Sequence, residues 1–184
     1  MSKDNEYIDA GADHSILEVL PHLNYTTSTA LAEFVDNSVQ SYIDNKANLV
    51  ATKKNFSLQI KIKVSKDRRK IIISDNAAGI SESDWSRGLK AGAPPFKKKK
   101  NSLNEFGMGM KCASYWFSRQ WSIETKSLKE KVEKTVNLDL DKIKSSKDGR
   151  AKVNRNQNPK IKHGTTIILK NCHQPIGKDE TFIE

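Results

Sequence analysis

No run of this sequence approaches the roughly 20 consecutive apolar residues that a membrane-spanning helix needs. The opening MSKDNEYIDAGAD lacks the apolar core of a secretory leader. No membrane partner is expected, and the chain reads as soluble and intracellular, cytoplasmic or nuclear. Only two cysteines occur, Cys112 and Cys172, in no CxxC spacing. That argues against a disulfide framework and a thiolate zinc site. The four histidines are scattered, and Cys172-His173 is a neighbouring pair without further ligands. Two phosphate-binding signatures are also missing: there is no GxxxxGK followed by Ser or Thr, and no dinucleotide fingerprint inside a β-α-β unit.

Apolar residues make up only 36% of the chain and charged ones 29%. Even so, Phe34, Trp85, Trp116, Phe117 and Trp121 sit in apolar surroundings, so a folded domain is expected rather than disorder. The 184 residues suit one domain, with a core over about 14–171. Lys and Arg number 32 against 22 Asp and Glu, a formal charge of +10. An anionic partner fits that balance, and nucleotide phosphates and nucleic acid both qualify. Solubility alone would also account for it.

Residues 14–20 read as a short helix closed by Pro21. Hydroxyls at 25–28 offer an N-cap for a longer helix over about 29–45, whose buried stripe is Leu31, Phe34, Val35, Ser38 and Tyr42. Period-two alternation marks a strand over 56–64, and a turn at 66–69 leads into a second over 70–74. Ser81 and Asp84 resemble a capping box before another helix. The pattern breaks over 90–105, a long irregular loop of the kind that forms lids. A helix starts near Gly107–Gly109 and runs through Trp116. Strands follow near 121–126 and 131–138, then a polar loop over 144–162 and a last strand over 165–169. Consecutive strands predict an α+β two-layer sandwich, with a mixed, mostly antiparallel sheet and helices on one face.

Three polar groupings interrupt this frame. Glu33, Asp36 and Asn37 lie within one turn of a helix, with Glu33 and Asn37 on the same face. A carboxamide oxygen is a hard Mg²⁺ ligand, and a carboxylate can take a proton from water. A solvated polar stripe would look the same. Asp75 ends an apolar strand, with Gly79 and Ile80 after it. The acid can accept from an exocyclic amine such as adenine N6, and the glycine lets backbone approach a ligand. A plain Asx turn is the bland alternative. In Gly107-Met108-Gly109-Met110-Lys111, backbone N–H groups at a helix start favour an anion, and Lys111 adds a charge.

Taken together, these segments are similar to the GHKL superfamily of ATP-binding domains, which includes gyrase B, MutL, Hsp90-type chaperones and histidine kinases. LAEFVDNSVQSY and FGMGMKCASYW look closest to the Microrchidia-type branch. The resemblance spans about 17–169 and implies ATP and Mg²⁺ as ligands. It implies Glu33 as general base, with Asp36 in support, and Asn37 as the Mg²⁺ ligand. Asp75 would be the adenine carboxylate, with Gly79 and Ile80 closing its pocket and Thr165 beside them. The Gly107–Lys111 box would cradle phosphates, and 90–105 would be the ATP lid. It further implies ATP hydrolysis, lid closure and ATP-dependent homodimerisation through a longer protein. Histidine kinases normally lack a glutamate at the Glu33 position, so water is the expected nucleophile. The family's adenine loop usually has a glycine where this chain has Ala77, so weaker nucleotide binding or an altered turn is expected. A transducer lysine would have to come from beyond Glu184. A switch module with little hydrolysis, and a nucleic-acid binder using Lys97, Lys98, Lys99 and Lys100, are the alternatives.

Overall fold

The computed structural model describes residues 7–9, 19–89, 109–145, 150–173 and 176. Helix α1 (Thr27–Thr52) begins two residues before the expected start, with one of the expected hydroxyls as its cap. The Thr26 side chain accepts from the Thr29 N–H at 3.1 Å, satisfying a donor that the first helical turn leaves unpaired. The helix buries Ala30, Leu31, Phe34 and Ser38; Val35 and Tyr42 are half-buried. It continues seven residues beyond the expected end at Asn45 because Leu49, fully buried, extends the apolar stripe by another turn. Before it, Leu20–His22 form a 3₁₀ turn that contains Pro21; the helix expected over 14–20 lies almost wholly outside the described residues.

Strands β2 (Ile60–Val64) and β3 (Lys70–Asp75) form the expected hairpin. β2 starts four residues late because the Asn76 side chain takes over the pairing there. Its Oδ1 accepts from the Gln59 N–H at 2.7 Å, and its Nδ2 donates to the Ser57 carbonyl at 3.0 Å. Helix α2 (Glu82–Leu89) opens on the capping box. Ser81 Oγ accepts from the Asp84 N–H at 3.3 Å and donates to Asp84 Oδ2 at 2.7 Å. Helix α3 (Gly109–Phe117) matches its expected span.

β4 (Gln120–Lys126), β5 (Glu133–Asp139), β6 (Arg150–Asn156) and β7 (Gly164–Lys170) complete the sheet with β1 (Tyr7–Asp9). Its order is β1-β6-β5-β4-β7-β3-β2. The sheet is antiparallel in every ladder among the described residues, where a mixed, mostly antiparallel one was expected. The expected polar loop over 144–162 is also corrected: it holds β6, and a short helix α4 (Leu140–Ser145) precedes it. β6 buries only Ala151 and Val153, too few apolar residues for a period-two signal, and is recruited by pairing on both edges.

One face of the sheet carries the core. Ile73, Ile167, Ile123, Val136 and Val153 form a continuous apolar rung, with Ile71, Leu169, Trp121 and Leu138 in the next. All four helices add side chains to the same cluster, which puts them on one face. Each fully buried aliphatic there contributes about 1.5–3 kcal/mol. The adjacent rung is polar: Thr165 opposes Thr125, Thr125 opposes Lys134, and Lys134 opposes Arg155.

Lys134 is fully buried, its ammonium 2.8 Å from Glu130 Oε2, 3.4 Å from Glu82 Oε2 and 5.4 Å from the centre of the Trp85 ring. Arg155 grips Glu82 with two bonds of 2.7 and 2.8 Å. This clasp ties the first turn of α2 to β5 and β6. Chiefly through the Arg155 bond, it lowers the Glu82 carboxyl to about 2.

Candidate functional site

Where the rungs turn polar, the sheet and α1 part around an open cavity of about 240 Å³. Asp75 sits on its floor because it is the last residue of β3 and points to the core side. Its Oδ1 accepts from the Ala77 N–H at 2.8 Å and the Thr165 N–H at 3.3 Å; its Oδ2 accepts from Ser38 Oγ at 3.1 Å. Burial pushes the carboxyl up from its ordinary range, and those hydrogen bonds oppose the shift without cancelling it.

The loop after Asp75 is held against the ends of β4 and β7. Gly79 has φ +70°, and a Cβ there would lie 2.1 Å from the Lys126 carbonyl oxygen. Gly164 has φ +121°, and its Cβ would lie 2.2 Å from the Asp75 carbonyl oxygen. Only glycine fits either place. The buried Thr125 hydroxyl accepts from the Ile80 N–H at 2.9 Å and donates to the Gly164 carbonyl at 3.0 Å. Leu128 N–H bonds the Ala78 carbonyl at 2.8 Å, and His163 Nδ1 lies 2.8 Å from the Ala77 carbonyl oxygen. Ala77 is buried and takes a negative φ, so its side chain is accommodated without strain.

α1 forms the opposite wall. Asn37, Ser38 and Ser41 line the cavity, and one turn later so do Asp44 and Asn45. The Asn37 amide donates to the Glu33 backbone carbonyl at 2.5 Å, which commits its nitrogen to the helix. Glu33 itself lies beside the cavity, half-buried, against the start of α3. A Cβ on Gly109 would lie 1.9 Å from Glu33 Oε2, so the α3 N-terminus touches the carboxylate directly.

The structure therefore brings Asn37, Asp75, Gly79, Ile80, Met110 and Thr165 to one cavity, with Glu33 and Gly109 adjoining it. Asp36 is half-exposed and does not line it. Lys111 is 2% exposed within α3 and does not line it either. Gly107, Met108, Lys97 to Lys100 and the expected lid over 90–105 lie outside the described residues. Ser38, Thr125, His163 and Gly164 were not picked out as site residues. Ser38 alone had a local signal, a hydroxyl at a core position of the α1 stripe. The others act through β4 and β7, far away in sequence.

Residues 25–172 match the family described as histidine kinase-, DNA gyrase B- and HSP90-like ATPase. Among curated proteins, the chain is 32% identical over 127 residues to the chaperone protein HtpG of Buchnera aphidicola subsp. Cinara cedri (strain Cc). That alignment covers 62% of this chain and 19% of the relative, so the chain spans about a fifth of the chaperone's length. Neither match singles out the Microrchidia-type branch.

Proposed function

The chain belongs to the histidine kinase-, DNA gyrase B- and HSP90-like ATPase family, and from this premise we propose that it binds ATP with Mg²⁺ and hydrolyses it with Glu33 as the general base. The observation that carries the reading is the Asp75 carboxylate, half-buried on the floor of the cavity and held by three protein donors. A fixed acceptor in a half-apolar slot suits an exocyclic amine, such as adenine N6. It would reject guanine, whose carbonyl would meet it acceptor to acceptor. At about 240 Å³ the cavity falls short of the roughly 300–1,000 Å³ of pockets that enclose a whole ligand. It suits a base better than a triphosphate.

The phosphates would then run past Asn37 towards Glu33 and the α3 N-terminus, where helix N–H groups favour negative charge. Among the described residues there is no group of three or more His, Cys, Asp or Glu able to hold a metal. Mg²⁺ would arrive with the phosphates and take the Asn37 amide oxygen as its protein ligand, which fits its preference for few protein ligands and several waters. The ion, held there by Asn37, would supply charge neutralisation to the phosphates. Asn37 would orient the nucleotide, Gly79 and Ile80 would close over the base, and Glu33 would accept the proton of the attacking water. Lid closure and dimerisation belong to the same reading; light scattering with a non-hydrolysable analogue measures the latter.

Calorimetry with Mg²⁺-ATP and Mg²⁺-GTP tests the binding half. Heat with ATP and none with GTP is expected; a flat ATP titration overturns the assignment. For the chemical half, Glu33→Ala should keep ATP affinity and lose about 10²–10⁴-fold in turnover. Wild-type turnover in that variant would remove Glu33 as the base.

A further inference from the structure

One oxygen of the Glu33 carboxylate is held by a residue outside the three polar groupings, and the other lies against the backbone of Gly109. Tyr25 precedes α1, and its phenol donates to Glu33 Oε1 at 3.4 Å. The phenol is itself fixed. The Tyr25 N–H donates to the Leu23 carbonyl at 2.8 Å. Its ring meets Trp116 edge-on, with centroids 6.2 Å apart. The Trp116 indole N–H donates to the same Leu23 carbonyl at 3.0 Å. Gly109 closes the other side, because any side chain there would strike Oε2. Burial, and then the Glu33 charge, push the Tyr25 phenol up to about 12, so it stays a donor at neutral pH.

We propose that Tyr25 is a positioning residue for Glu33, its hydroxyl holding Oε1 and so fixing the rotation of the carboxylate beside the start of α3. The inference rests on the reading of Glu33 as base. Its physical reason is that a base displaced by about 1 Å can lose on the order of 10²-fold in rate. Catalytic hydrogen bonds that are long before ligand binds commonly tighten in the bound complex.

The test uses the full-length chain. Tyr25→Phe removes the hydroxyl and keeps the ring against Trp116. Its kcat for ATP should fall about tenfold, the loss of one hydrogen bond to a charged group. Calorimetric affinity for Mg²⁺-ATP and the urea midpoint should stay at wild-type values. Glu33→Asp draws the carboxylate back by one methylene, out of reach of the phenol. In that background Tyr25→Phe should cost less than about twofold, since the partner is already gone. An equal loss in both backgrounds, a loss in affinity rather than kcat, or no loss at all overturns the proposal. If Glu33→Ala abolishes turnover while Tyr25→Phe retains it in full, only the tyrosine's role fails. If the wild-type chain has no turnover, or Glu33→Ala keeps it, the base assignment fails and this proposal with it.

Discussion

A single methyl group added at Gly79 should disable the cavity. The residue has φ +70°, a conformation that costs an L side chain about 1–2 kcal/mol. The added Cβ would also lie 2.1 Å from the Lys126 oxygen, 2.7 Å from its carbonyl carbon and 3.1 Å from the Gly164 oxygen. All three atoms belong to backbone fixed by the β4–β7 ladder, so the loop must move instead. Moving it breaks the Ile80 bond to Thr125 and strains the Leu128 bond to Ala78, each contributing about 1 kcal/mol. The combined cost is about 3–4 kcal/mol, either as lost global stability or as a displaced loop that no longer closes the site. Urea unfolding of Gly79→Ala, run beside calorimetric titration with Mg²⁺-ATP, separates the two. A variant within about 0.5 kcal/mol of wild type that binds ATP normally would refute the reasoning, because that is the range of an ordinary surface change.

The neighbouring Ala77 should behave in the opposite sense. Its φ is negative and its methyl buried, so Ala77→Gly should lower stability by about 1 kcal/mol and leave ATP affinity no tighter, as urea midpoints and calorimetry would record. Asp75→Asn should fold at least as stably as wild type at neutral pH, because desolvation raises the pKa of the half-buried carboxyl and its charged form is the disfavoured one above that pKa. The same variant should lose ATP affinity by at least about tenfold, since the acceptor facing the base is replaced; thermal melts and calorimetry give both values. Glu82 is the reverse case: its folded pKa is lowered from 4.5 to about 2. Its contribution is therefore present above pH 4.5 and lost as pH falls towards 2, so the stability gap between wild type and Glu82→Gln should close across that window in acid-titrated urea unfolding.

The parts of the site that could be read in advance are those encoded within one turn or one loop. Glu33 and Asn37 share a helix face by spacing alone, and Asp75 announces itself as an acid ending an apolar strand. What escaped is non-local. Thr125 and Gly164 matter only because β4 and β7 pair in one register, and nothing near either residue reveals that partner. The Ala77 concern arose from comparing letters; the backbone angle that decides it is set by the Asp75, His163 and Thr125 contacts around the loop. In the fold, the hairpin and both capped helices followed from periodicity and caps. β6 did not, because its neighbours supply most of its apolar contacts. Lys134 was also hidden, as a lysine inside a strand ordinarily points to water, and only the assembled clasp justifies its burial.

The polar rung at the strand ends has one further consequence. The acid, its threonine neighbour and the two glycines hang on the alignment of β3, β7 and β4, not on a free loop. If β7 shifted by a single position against its neighbours, Thr165 would point outward and Ile167 would leave the core in the same movement. A chain that captures nucleotide in this cavity has thereby proofread the pairing of its own central strands. Titration of bound ligand against total protein would count correctly assembled molecules.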